Sequence, residues 1–252
     1  MTDTTADLPP LFGAPGEPAP AVKPVVWSRE AKPLRGLHGW LKGALITYVI
    51  TELLLMGLNG VMLWVFNAIE NGVEFSEAQI TILDLLLRYA GMIGGGLFLL
   101  GYLVAAIMFC RFIYRALKNL DLSKARGVRM GPGWAVAYNF IPIMNIWKPQ
   151  QAMSQIWRGS HDPERNRFEP PQAMGWWWGL WLITNWVSNI SFRLALGAGA
   201  LGEEITDFQT YKITPWLDVI TSITGIASVF FLLPIIRQIT KAQDDRTPPA
   251  LV

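Results

Sequence analysis

Four ionisable side chains fall inside long apolar runs: Glu52, Arg111, Arg193 and Asp218. At bilayer depth a lone charge costs about 2.5 to 3.5 kcal/mol even on insertion scales, so each of these predicts a partner or a cavity. Glu52 lies deepest. Reckoned from the ends of the runs, Arg111 sits where its long side chain could reach Glu52, and Arg193 and Asp218 share a similar depth near the far ends of the third and fourth runs. Pairing of that kind fixes helix register; the other chemistry open to such groups is a proton or substrate path. The carboxamides Asn139, Asn145, Asn185 and Asn189 join the same set. Asn139 and Asn145 flank Pro142, where they either satisfy interrupted backbone or bind a solute as broken helices do in transporters.

Other chemistries find little support. The chain has two histidines, His38 and His161, with no companion ligand at helical spacing, so no metal is expected. No Gly-x-Ser-x-Gly, no Cys beside a His and no His-Glu-x-x-His occurs. The glycines between 91 and 101 lack the Gly-Lys-Ser/Thr of a phosphate loop and lie in an apolar run, where close helix packing is the expected use. Cys110 is the single cysteine and reads as a buried small hydrophobe. A net charge of +2 gives no footprint for nucleic acid. We therefore expect no enzyme, no cofactor and no nucleic-acid partner.

The elements that would carry these residues are membrane helices. Hydrophobic residues make up 52% of the chain and charged ones 16%, and mean hydropathy is +0.30. That is a membrane composition with the apolar residues gathered in runs. Four spans are expected at about 43–69, 90–117, 174–198 and 214–236. Residues 1–26 and 241–252 read as disordered tails, the first rich in Pro and Ala and not a cleaved signal. The basic aromatic stretch 27–42 suits lipid headgroups. Ser76 and Gln79 fit a capping box that opens a short helix, with Asp84 and Arg88 paired on its wet face. Between the second and third spans lies PGWAVAYNFIPIMNIWKP, 132–149, an apolar run that is too short to cross and is broken by Pro142. It predicts a re-entrant or interfacial segment, with Trp134, Phe140 and Ile143 buried against the spans. A surface helix follows, placing Ala152, Met153, Ile156 and Trp157 on an apolar face and ending at Gly159. Trp134, Trp157, Trp176, Trp177, Trp178 and Lys148 are expected at the membrane interface. Lys and Arg crowd the two flanks and the 118–173 loop, while the 70–88 and 199–213 loops are acidic, so both termini are expected on the cytoplasmic side of a bacterial inner membrane.

The run RFIYRALKNL, the stretch PGWAVAYNFIPIMNIWKPQQAMSQIW and the segment GWWWGLWL together resemble the bacterial integral-membrane family called domain of unknown function 4328. The resemblance covers roughly residues 37–237. It implies a multi-pass helical membrane protein and brings no activity, substrate or cofactor to these positions. The expectation is an all-α membrane protein with four transmembrane helices, a re-entrant or interfacial broken segment and an amphipathic surface helix. Its function is expected to be that of a structural, regulatory or partner-binding module, with the bilayer, anionic lipid at the cytoplasmic face and a membrane or cytoplasmic protein as partners. The alternative is a small transporter or channel subunit using Glu52 and the broken stretch.

Overall fold

The computed structural model describes residues 24–197, 210 and 212–247, and all regular structure among them is helical. In chain order come α1 (Arg35–Glu70), α2 (Glu77–Leu122), α3 (Pro132–Ala137), a single 3-10 turn (Met144–Ile146), α4 (Lys148–His161), α5 (Gln172–Gly197) and α6 (Thr214–Asp244). Three of these, α1, α2 and α6, are long and apolar enough to cross a membrane. The 26 residues of α5 reach about 39 Å at 1.5 Å per residue, but its tryptophans and asparagines keep it out of that set.

Ser76 opens α2 with the capping box expected of it. Its hydroxyl accepts from the Gln79 amide at 3.3 Å and its own amide donates to Gln79 Oε1 at 2.9 Å. Arg88 and Asp84 pair one turn later at 3.2 Å. The helix does not stop there. It runs 46 residues without a break, so the short helix and the second span expected from the sequence are one element. The start of α1 has no capping side chain of its own. Asp244, at the end of α6, supplies one: its two carboxylate oxygens accept from the amides of Leu34 at 2.7 Å and Arg35 at 3.0 Å.

The four long helices stand side by side in the order α2, α1, α6, α5, each antiparallel to its neighbour. Leu55 lies against Gly94 and Thr47 against Gly101 between α1 and α2. Glu52 meets Ser222 between α1 and α6, and Thr184 meets Thr224 between α5 and α6. α6 is the most enclosed, with 39% of its most apolar window buried against 11% for α1 and for α2. Of the small residues expected to seat a neighbour, Gly94 does so most closely, because a Cβ there would lie 2.9 Å from the Leu55 side chain.

One end of this row, which we call the base, holds both described chain ends. Trp27 packs with Ala31, Leu120 and Ala125 and donates its indole N–H to Thr247 at 3.2 Å. Trp27 is therefore a protein contact and not a headgroup contact, because the end of α2 covers it. Of the tail read over 1–26, residues 24–26 are described, and the Val25 amide donates to Glu164 at 3.3 Å. α6 continues to Asp244 with Gln243 fully buried, so 241–247 belong to the folded base; 248–252 and most of the 199–213 loop lie outside the described residues.

α4 closes the base. Its apolar face falls where the spacing placed it, but Ala152, Met153 and Ile156 are fully buried against α2, α5 and α6, and Trp157 is 3% exposed. A helix lying on the membrane surface is thus replaced by one that caps the bundle. The same amphipathic face serves lipid and protein equally, and Gly159 permits the tighter fit: a Cβ there would stand 2.9 Å from Leu120. The helix also runs past Gly159 to His161.

Candidate functional site

α6 carries Asp218, Ser222, Gly225 and Ser228 at spacings of three and four, which puts them along one side of the helix. Each meets a polar group or a close neighbour. The Asp218 carboxylate accepts from Ser191 at 2.6 Å, and Ser228 donates to the Trp177 carbonyl at 3.2 Å; both join α5. The Ser222 hydroxyl donates to Glu52 Oε2 at 2.7 Å, joining α1. The Tyr48 phenol, one turn before Glu52, faces the same carboxyl and lies against Gly225. Thr184 donates to Thr224 at 2.8 Å alongside. The result is a polar seam down α6 that binds α1 on one side and α5 on the other, each hydrogen bond worth about 0.6 kcal/mol on average within a membrane. Glu52 is 3% exposed, and its second oxygen, Oε1, is buried without a protein partner, as is Thr221 Oγ1.

Both expected ion pairs are absent. Among the described residues the ion pairs are Arg88 with Asp84, Lys118 with Asp121 and Lys212 with Glu70. Register explains the first failure. The pairing of Leu55 with Gly94 and Thr47 with Gly101 brings Arg111 level with the start of α1, where it shares a cleft with Leu37, and four turns of helix, roughly 20 Å, separate that level from Glu52. Helix phase explains the second. Ser191 faces α6, so Arg193, two residues on, points to the opposite side, where its Nε donates to Asn189 at 2.8 Å.

The carboxamides divide between two roles. Asn139 donates to the carbonyls of Ala135 at 2.9 Å and Val136 at 3.2 Å, covering the end of α3 where the helix is interrupted. Asn145, Asn185 and Asn189 come together with Pro142, Trp181 and Ile190 around a groove of about 570 Å³ between the break and α5. Asn185 Nδ2 is held by the Trp181 carbonyl at 2.7 Å, and Asn145 Oδ1 is buried without a protein partner. Around the groove, Trp178 donates to the Ile146 carbonyl at 2.9 Å.

The aromatic residues are corrected in both directions. Trp157, Trp177 and Trp178, expected at the interface, are 3%, 3% and 8% exposed and belong to the core, where their neighbours are rings and helices of the base. Trp176 stays exposed at 62% and Lys148 half-exposed, its ammonium 5.6 Å from the Tyr138 ring centre. Trp134, Phe140 and Ile143, expected to be buried, are 63%, 74% and 67% exposed, because the break turns its carbonyl side to α5 and its large side chains outward.

Sequence reasoning missed the network that locks the base. The Gln243 side chain donates to the Ala116 carbonyl at 3.2 Å and Ser160 at 2.9 Å, and accepts from Asn119 at 3.0 Å. Asn119 also accepts from the Lys32 amide at 3.0 Å and donates to the Lys32 carbonyl at 2.9 Å. Four segments of chain are tied by two fully satisfied carboxamides. The signal was present: Asn119 follows Phe112 and Ala116, and Gln243 follows Ile236 and Ile239, at core spacing.

No curated protein and no solved structure matches the chain. The family model described as domain of unknown function (DUF4328) matches residues 71–241, which run from the turn before α2 almost to the end of α6. The match starts later than the resemblance read from residue 37 and leaves Glu52 and the rest of α1 outside. With the seam on α6, the break and the base-capping helix all inside the matched segment, the chain belongs to the DUF4328 family of proteins of unknown function.

Proposed function

We propose that the protein is a four-span, non-enzymatic structural module of the bacterial inner membrane, with both termini cytoplasmic, that engages anionic lipid through an aromatic and basic surface at its base. The observation carrying this reading is the run of the break along α5. Ile146 is tied to Trp178, and Pro142 and Asn145 share a groove with residues as far along α5 as Ile190. Counted from Gln172, Asn185 stands about 20 Å up the helix. If α5 crosses beside α6, to which it is bonded from Trp177 to Ser191, the break enters the bilayer to mid-depth and returns. Its exposed Phe140 and Ile143 then meet acyl chains, and its interrupted backbone is covered by α5 and the asparagine groove. Lys148 and the other cations around the base meet headgroups. Thermal unfolding in nanodiscs tests this. We expect a higher Tm when phosphatidylglycerol replaces part of the phosphatidylcholine, with the gain shrinking at high salt; an unchanged Tm overturns the lipid-engaging role.

A second reading, a small transporter or channel subunit, is favoured by the groove alone, since it puts three carboxamides beside a broken helix. Glu52 does not line it. Ion or proton flux in proteoliposomes that vanished in Asn185→Leu would carry that reading instead.

A further inference from the structure

The residue left without a role by the seam is Arg111, and it does not stand alone. It lines a cleft of about 980 Å³ between the start of α1, the basal part of α2 and α3, together with Lys32, Arg115, Trp40, Tyr114 and Leu37. Arg111 and Arg115 are four residues apart on α2, so their guanidinium groups reach the same face. Lys32 comes to them from the segment before α1, held in place by the two main-chain bonds to Asn119. None of the three cations makes an ion pair among the described residues. Two acids at this end of the fold are already engaged: Asp244 holds the amides of Leu34 and Arg35, and Asp121 pairs with Lys118 at 3.9 Å. Trp40 and Tyr114, 73% and 46% exposed, stand at the mouth.

Above the cations the same stripe of α2 becomes apolar. Ile107 is one turn from Arg111 and Leu103 a further turn, and they are 54% and 50% exposed. Three converging positive charges, a pair of amphipathic rings and an unbroken apolar track make a chemically ordered sequence: phosphate, glycerol level, acyl chain. We propose that this cleft is a specific binding site for an anionic phospholipid, with Arg111 and Arg115 forking onto the phosphate oxygens, Lys32 adding the third charge and one acyl chain lying along Ile107 and Leu103. This rests on the lipid-engaging reading above and gives it an address.

The test is lipid retention. The protein is extracted from vesicles of phosphatidylcholine and phosphatidylglycerol, washed in mild detergent, and its retained phosphatidylglycerol counted per chain by mass spectrometry. We expect about one phosphatidylglycerol per chain in the parent, at least a tenfold weaker retention in Arg111→Gln/Arg115→Gln from the loss of two headgroup cations, and unchanged retention in the control Arg126→Gln/Arg129→Gln, which removes equal charge outside the cleft. Lys32→Gln, which leaves the main-chain bonds to Asn119 in place, should weaken retention in the same direction and serves if the double variant fails to fold. Retention that is equal in Lys32→Gln, or in a folded double variant, and the parent overturns the site. Inorganic phosphate alone giving the same rise in Tm as phosphatidylglycerol, and displacing it, overturns the lipid assignment in favour of a soluble phosphate. A parent that shows no preference for phosphatidylglycerol over phosphatidylcholine defeats the broader reading, whereas a preference that survives in the cleft variants defeats only the cleft.

Discussion

At the residue scale the contact between α1 and α6 turns on the Glu52 carboxyl, which is 3% exposed and accepts from the Ser222 hydroxyl at 2.7 Å. Glu52 was legible as a group needing a partner, because an apolar run surrounds it. Which partner was not legible, because depth counted from span ends assumes that helices start where hydrophobicity does, and α1 and α2 overrun their apolar cores at the base. Ser222, a residue with no sequence signal beyond its spacing to Gly225, is the partner found. A double-mutant cycle on thermal stability in detergent should therefore show coupling of about 0.6 to 1.7 kcal/mol between Glu52→Leu and Ser222→Ala, since Ser222→Ala alone takes from a buried carboxyl the hydroxyl that donates to it. Glu52→Leu and Arg111→Gln should instead add; coupling between them would return the ion pair. His161 offers a second test. Its ring lies between Trp157, 4.1 Å away, and Phe168, 5.2 Å away, with Nδ1 donating to the Trp157 carbonyl at 2.9 Å. Burial holds its pKa below the usual 6.5, opposed by that backbone bond and helped by the nearby Arg246 charge. The unfolded chain thus binds more protons below pH 6.5, and the stability present above that pH is lost as pH falls. Tm should drop between pH 7.5 and 5.5 and do so less in His161→Gln; an identical drop in that variant would remove His161 from the account.

Helix contacts were partly legible at the scale of elements. The capping box before α2, the Asp84 and Arg88 pair and the apolar face of α4 all stand where residue spacing put them. What covers a face is not written in its period. Lipid and protein are equally good covers for Ala152, Met153 and Ile156, and the choice is made by Gly159 and by the Asn119 and Gln243 network, which reaches α4 at Ser160. For the same reason a tryptophan cluster reads as an interface anchor although Trp177 and Trp178 turn inward to a carbonyl and to neighbouring rings. The contact between α1 and α6 makes its own prediction. A methyl at Gly225 would run into the Tyr48 hydroxyl. Gly225→Ala should cost about 1 to 3 kcal/mol by overpacking, and Tyr48→Phe, by removing the oxygen that is struck, should recover most of it. Equal loss in the presence and absence of Tyr48→Phe would mean that the two helices do not meet there.

Three long apolar helices mark the whole molecule as a membrane protein, and the even number of passes we propose rests on one pattern: alternating basic and acidic loops in sequence, and antiparallel neighbours with both described chain ends at the base in structure. The charge pattern carries an expectation for the side on which a loop lies, but not that the 162–169 loop is physically tied to the segment before α1, as the bond from Val25 to Glu164 ties it. The break could be recognised from Pro142 and its length; its line of contact with α5 could not, since it depends on one indole reaching one carbonyl. We propose that residues 132–158 enter and leave the membrane on one side, so that four spans and not five cross it. Cysteine accessibility in intact cells tests it most directly, with Cys110→Ala as background and single cysteines placed by Arg165→Cys and Glu74→Cys. An impermeant maleimide should modify the cysteine at 74 in intact cells and that at 165 only after permeabilisation. Modification at 165 in intact cells would contradict the account.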